Sequence, residues 1–404
     1  MAIDHTFIES IENGLAETTS RRIDAAVGRI VTAKERGGKV VVVTGSGPNL
    51  HEGVTTLIAE MMRVGMIDGV STSSAVVSHE LGGTLDRVKR CPGEPLGLAP
   101  AILPRGGEFE LTLLHEAALA HIAKHMPVDV ALIEKLKQAQ GKTIIKAAGN
   151  LGYPMGLWLE LLADEIAVLA RSNGMTFEEV AGLGCDDRTM LGIGAKLGLP
   201  VMVTIPQLVG GGAVGLSIGD SISLHERATR LARMLDSAEV IIESAVALTQ
   251  EIHDGPFELY TGHGMWSAWR GHYTYSLESK TLIRIDLDPA LERAYEAEQT
   301  GGAVQQAIAD GLPKTKLFKV PFRMEMSGFA RHEGSIPIIG DIGAVWPVIA
   351  HRAAQRLGLD LNFMSYPQNT EQGKAMRDDI VANVKPIDRD RMLAGLRNRM
   401  QVGA

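Results

Sequence analysis

Residues 39–45, Lys-Val-Val-Val-Val-Thr-Gly, constrain the fold more than any other stretch of this chain. Four consecutive valines leave no polar face, so a strand built from them is buried on both sides. Strands of that kind belong to parallel sheets covered by helices on both faces. The surrounding sequence supplies the covering. Residues 5–36 carry Ile8, Ile11, Leu15, Ile23, Ala26 and Ile30 at helical spacing and stop at Gly37-Gly38. Residues 53–65 read as a helix and 67–73 as a short strand, which completes one βαβ unit. The alternation then recurs. A helix around Val130 to Gln140 precedes an apolar segment at 143–149, and 152–174 is one long helix. Residues 189–206 read as helix, turn and strand, and 223–252 as helix, strand, helix. Strands follow at 281–288 and 335–341, and a last core helix at 345–358. Strands alternating with helices predict an α/β fold with a doubly wound, mostly parallel sheet. The proline- and glycine-rich stretch 91–110 reads as loop.

The chain is divided on this reading into an N-terminal helical extension (1–36), an α/β domain (37–370) and a charged C-terminal tail (371–404). Its 404 residues, 45% of them apolar, suffice for a large core. Forty Lys and Arg stand against 48 Asp and Glu, a formal charge of −8. With no basic block or stripe, no nucleic-acid partner is expected. Cys91 and Cys185 form no CxxC and suit a reducing compartment. The first residues show no basic region followed by an apolar run, and apolar stretches are broken before about 18 residues. A cytoplasmic protein with no membrane partner is expected.

Three strand–helix junctions carry candidate ligand chemistry. After the valine run come Gly45, Ser46 and Gly47, where glycines let backbone N–H groups approach a phosphate at a helix N-terminus. Asp286 and Asp288 stand at the end of the 281–288 strand, where a carboxylate can accept both hydroxyls of a ribose; capping of the next helix is the structural alternative for Asp288. Asp341, in Gly340-Asp341-Ile342-Gly343, is open to the same two readings. A fourth stretch, residues 215–227 (GLSIGDSISLHER), presents Asp220 and, five residues on, His225. A carboxylate can pair with an ammonium group, and histidine is the usual proton carrier near neutral pH. A turn residue followed by a solvated helix position would give the same spacing.

The polar segment 251–275 supplies His253, Asp254, His263, Trp266, Trp269, Arg270 and His272. Histidine spacings of ten and nine are not a metal-ligand signature, so no metal is expected there. Trp266 and Trp269 can offer faces to a cation, with Arg270 as a further substrate-binding residue and His272 as a second candidate for proton transfer. Packing or a subunit interface would also use such a cluster.

Ser217, Ile218, Gly219, Asp220 and His225 resemble a stretch of deoxyhypusine synthase, preceded in both by a helix and an apolar strand. Residues 45–75 are similar to that family's NAD-binding segment through Asn49, Leu50, Met66, Asp68 and Thr72, and 338–353 to its C-terminal Asp-containing segment. The resemblance implies a Rossmann-like, deoxyhypusine-synthase-like NAD/FAD-binding fold, NAD as cofactor with Asn49, Leu50 and Thr72 among its contacts, and a homo-oligomer, tetramer or dimer. The chain departs from the family where its chemistry is done. The essential lysine segment aligns with Ser327, Gly328 and Arg331, and Phe329 falls where the lysine belongs. Without an amine nucleophile no enzyme imine can hold a transferred group. The family's acidic loop is replaced at 294–302, and an aspartate upstream of Asp220 by Gly-Gly-Gly-Ala-Val-Gly. The expectation is therefore an NAD-dependent enzyme that removes hydride from the carbon bearing an amine in a polyamine or basic amino acid, and not deoxyhypusine synthesis itself. In it Asp220 would hold the ammonium, and His225 or His272 would move the proton. Two alternatives stay open. One resembles ornithine cyclodeaminase of the archaeal type, with Arg270 or Arg331 for a substrate carboxylate. The other is a nucleotide-binding protein without catalysis.

Overall fold

The computed structural model describes residues 2–103, 106–149, 152–244, 248, 252–253, 255, 257–262, 264–320 and 324–402. Among the described residues, nine strands fall in two sheets: β1 (Lys39–Val43), β2 (Gly69–Thr72), β3 (Leu85–Pro92), β4 (Glu108–Thr112), β5 (Lys142–Ala147), β6 (Val201–Val203), β7 (Ala238–Glu243), β8 (Thr281–Asp286) and β9 (Ser335–Ile339). The larger sheet has the order β6-β2-β1-β7-β8-β9, with every pairing parallel. Numbered within that sheet alone, this is 3-2-1-4-5-6, the doubly wound Rossmann-like order. The fold class expected from the valine run is the one observed.

The two faces of the sheet explain that run. Val40 and Val42 point into the larger core, Val41 and Val43 into the second, as the period of two demands. Neighbouring strands repeat the division: Val240 and Ile242 against Ile241, and Ile283 and Ile285 against Leu282. Helices Glu17–Glu35, Val54–Arg63 and Ile342–Leu357 cover the first face, and Leu224–Asp236, Ala290–Gln299 and Met324–Arg331 the second.

A smaller antiparallel sheet, β4-β3-β5, departs from the sequence reading. It is inserted between β2 and β6, and strands β3 and β4 take up the ends of the stretch read as loop. The apolar segment at 143–149 belongs to this sheet and not to the parallel one. With helix Val130–Gln138 it encloses a small core of its own around Cys91, Leu111, Ile133 and Leu136. Segment 5–36 is two helices, His5–Gly14 and Glu17–Glu35, both packed on the larger core. Residues 371–402 form helices Glu371–Asn383 and Arg389–Val402, which bury Met376, Ile380, Met392 and Leu396. The helix expected after β7 lies mostly outside the described residues, as do Asp254 and His263. Among the described residues, no helix is long and apolar enough to cross a membrane.

Candidate active site at the sheet's carboxyl edge

In an open parallel sheet, ligands bind beyond the carboxyl ends of the strands where the order reverses, here between β1 and β7. The carboxyl ends of four adjacent strands all carry hydroxyls: Thr72 is the last residue of β2, and Thr204, Thr44 and Ser244 stand one step past β6, β1 and β7. The ladder continues through them, Thr44 N donating to Ser71 O, Thr204 N to Thr72 O and Ser244 N to Val43 O. Thr72 and Thr204 are buried, and among the described residues neither Oγ1 has a hydrogen-bond partner. Buried hydroxyls normally find one.

The turn after β1 differs from those after β2 and β9. Helix Ser74–Leu81 is capped by Ser73, which accepts from Val76 N, and helix Ile342–Leu357 by Asp341, which accepts from Gly343 N. Helix Ser46–His51 starts at Gly45 with no side-chain cap. Among the described residues, its first amides therefore have neither an intrahelical acceptor nor a capping oxygen. Gly45 is extended, so its need for glycine is one of space: a Cβ there would lie 2.7 Å from Leu248 Cδ1. Gly47 has open space where a Cβ would be. Asn49 is buried and braces the turn from inside, donating through Nδ2 to Gly45 O and Ser244 O, while Ser244 Oγ donates to Thr44 Oγ1 at 3.0 Å. Leu50 is wholly in the core. Of the resemblance's positions, Asp68 pairs with Lys34 at 2.8 Å and accepts from Val40 N, tying the helix of residues 17–35 to β1.

Sequence reasoning missed Glu243, the last residue of β7. It is fully buried and meets the equally buried His253, whose Nε2 lies 2.8 Å and 3.0 Å from its two carboxylate oxygens. The signal was a lone carboxylate ending an apolar strand at the switch point. His253 also touches the segment where the lysine is wanting: Phe329 is buried edge-on to it at 5.9 Å, and a Cβ on Gly328 would lie 2.9 Å from its own Cβ.

The two histidines expected to move protons come together. His225 and His272 lie with ring centroids 4.6 Å apart, and Phe257, on the chain leaving β7, packs edge-on to both. Trp266 and Trp269 meet at 4.8 Å on helix Met265–Trp269, exposed to 59% and 76%, with Arg270 capping that helix. Asp220 lies in the last turn of helix Ala213–Ser221 and not at a loop end. Its side chain is exposed, and its backbone oxygen accepts from Arg171. The neighbour that organises this corner is Arg227, buried and paired with Glu178 at 2.5 Å, while donating to Val203 O, Ile218 O and Ser221 Oγ.

At β8 and β9 the aspartates are engaged in their own turns. Asp286 accepts from Asp288 N and lies 3.4 Å from the buried Arg284, and Asp288 accepts from Ala290 N. They stand two strands from β1, and Asp341 three. Each keeps a second carboxylate oxygen beyond these backbone bonds.

No protein-family model matches this sequence, and no curated protein matches it. Solved structures do show similarity. ArgZ, an arginine dihydrolase from the ornithine–ammonia cycle in cyanobacteria, shares 11% identity at a TM-score of 0.37, over 85% of this chain and 32% of that one. A conserved putative LOR/SDH protein from Methanococcus maripaludis S2 shares 11% at 0.38, over 89% and 70%. The ternary complex of AgrE with ornithine and NAD+ shares 12% at 0.40, over 88% and 34%. This chain thus spans about a third of the length of ArgZ and AgrE. Likeness at this level leaves the chemistry to be argued from the chain's own residues, and the deoxyhypusine synthase resemblance stays one of motifs.

Proposed function

We propose that the chain is an NAD-dependent enzyme acting on a small amine, a polyamine or a basic amino acid. The observation that carries this reading is the uncapped turn at Gly45–Gly47, placed at the switch point of a 3-2-1-4-5-6 sheet. The cofactor fits there: free amides for a pyrophosphate, open space at Gly47, and the unpartnered Thr72 hydroxyl at the end of the adjacent strand. Backbone amides at Ser46 and Gly47 would hold it, braced by Asn49. Bound NAD supplies hydride acceptance from the carbon that carries the amine.

The chain's own residues do the rest. His225 and His272, in ring contact, offer a proton acceptor and a donor side by side. The exposed faces of Trp266 and Trp269 suit a cationic substrate, and the free carboxylate of Asp220 suits its ammonium group. Phe329 in place of a lysine supports hydride chemistry without a covalent enzyme imine.

Thermal unfolding followed with NAD, NADP and buffer alone tests the proposal. A ligand that binds only the folded state at about 100 Kd adds roughly 2.7 kcal/mol, a shift of a few degrees for a chain of this size. NAD is expected to raise the midpoint, and Gly47→Asp, a substitution into open space, to abolish the rise by repelling the pyrophosphate. No shift with either nucleotide would overturn the reading.

A further inference from the structure

Helix Glu116–His125 carries His121 and His125 one turn apart, so both rings project from the same face. They meet Trp158 of helix Met155–Asn173, His125 stacking on it at 5.5 Å and His121 edge-on at 6.3 Å. Packing explains the rings but not their nitrogens. The Nε2 atoms of both histidines are buried, and among the described residues neither has a hydrogen-bond partner. One such orphan is costly; two converging from successive turns are a preformed pair of donors.

A third donor comes from far along the chain. Asp388 accepts from Arg391 N and fixes the first turn of helix Arg389–Val402, which brings the exposed Asp390 to the pair. Asp390 Oδ1 lies 4.0 Å from His125 Nε2, and one ligand atom from each of the three residues falls within 4.8 Å of the others. Arg389, next to Asp390 in the chain, is already paired with Glu165 at 2.6 Å.

We propose that His121, His125 and Asp390 form a binding site for a divalent transition-metal ion of the zinc type. Two imidazoles and one carboxylate are a zinc donor set, and bonds of about 2.0–2.2 Å require the three atoms only to draw together by side-chain rotation. Three protein ligands leave a fourth position for water or substrate. His121 also borders an open groove of about 880 Å3, together with His115, Lys124 and Lys385. The site is remote in sequence from the NAD turn and does not depend on it. It joins the insertion between β2 and β6 to the last helix of the chain.

Metal-stripped full-length protein titrated with Co2+ and followed by visible ligand-field absorption tests this, with Zn2+ calorimetry in parallel. One ion per chain is expected, with His121→Ala and His125→Ala each weakening binding by ~100-fold or more, consistent with loss of a direct ligand. Since the alanine variants also remove packing on Trp158, Asp390→Cys provides the independent arm. That position is exposed, and a thiolate ligand there gives Co2+ a sulfur charge-transfer band. Absence of stoichiometric Co2+ binding to the wild type overturns the site. So does a spectrum that His121→Ala and His125→Ala leave unchanged, or an Asp390→Cys protein without the sulfur band.

Discussion

Glu80 shows what a single buried carboxylate does to this protein. It lies in the interior because it caps another helix, accepting from Met190 N and Leu191 N. Burial pushes its carboxyl from the ordinary 4.5 up to about 7, against the pull of those two N–H groups. The folded state therefore holds a proton that the unfolded state has released between pH 4.5 and 7, so stability falls as pH rises through that window. The shift corresponds to on the order of 3 kcal/mol. Asp86, pushed up to about 6 by burial, acts with the same sign over a lower range. Glu80→Gln is expected to flatten the decline between pH 5 and 7 in urea unfolding, even though it leaves one amide less well bonded. A slope equal to wild type would show that Glu80 does not titrate there. At this scale the sequence was partly legible. His225 and His272 stand out by residue type, but that their rings meet comes only from the fold. Arg227 was hidden because nothing local marks it as buried, and Glu243 was marked only by its place at the end of an apolar strand; their partners, Glu178 and His253, come from other elements.

Among elements, glycine decides how closely a helix approaches the turn that leads into it. Helix Met190–Leu197 packs on helices Phe177–Gly182 and Val54–Arg63, and a Cβ at Gly192 would stand 2.1 Å from Asp186 O. That oxygen is backbone and cannot rotate aside. Alanine is favoured over glycine by about 1 kcal/mol in a helix interior, whereas overpacking costs ~1–3 kcal/mol. Gly192→Ala is thus expected to lower stability by up to about 2 kcal/mol in chemical denaturation, and a more stable variant would refute the close contact. The parallel strands were legible because burial on both faces forces unbroken apolar runs. The smaller sheet was not. Its strand Leu85–Pro92 alternates buried and exposed residues and is dense in charge, and β4 adjoins a stretch rich in proline and glycine. Only the pairing across β3 makes strands of them.

Across the whole molecule, both ends of the chain are built into the body. Asp4 N donates to Tyr366 OH, and Arg352 pairs with Glu12. Beyond residue 370, Met376, Ile380, Val384, Ile387, Met392 and Leu396 are buried, the first five in the larger core. Burial of six such side chains is worth about 9–18 kcal/mol, as much as the 5–15 kcal/mol by which whole domains are stable. A chain ending at residue 370 is expected to show no cooperative unfolding transition by circular dichroism. A sigmoidal transition near that of the full chain would mean that the last two helices are dispensable. Their charge suggested a tail, since Glu371–Asn383 and Arg389–Val402 show three and five apolar side chains larger than alanine among many polar residues.

The insertion also sets a timetable. Val70 pairs with Val201, so the edge of the parallel sheet closes only after residues 73–200 have been made and have come back on themselves. Loop-closure entropy grows with the logarithm of length, which puts the added thermodynamic burden over a short crossover at about 2 kcal/mol. The kinetic burden is larger, because pairings distant in sequence slow folding by orders of magnitude. β2 must therefore wait with one side unpaired while the smaller sheet and its helices assemble, and the three-residue β6 arrives as the closing piece.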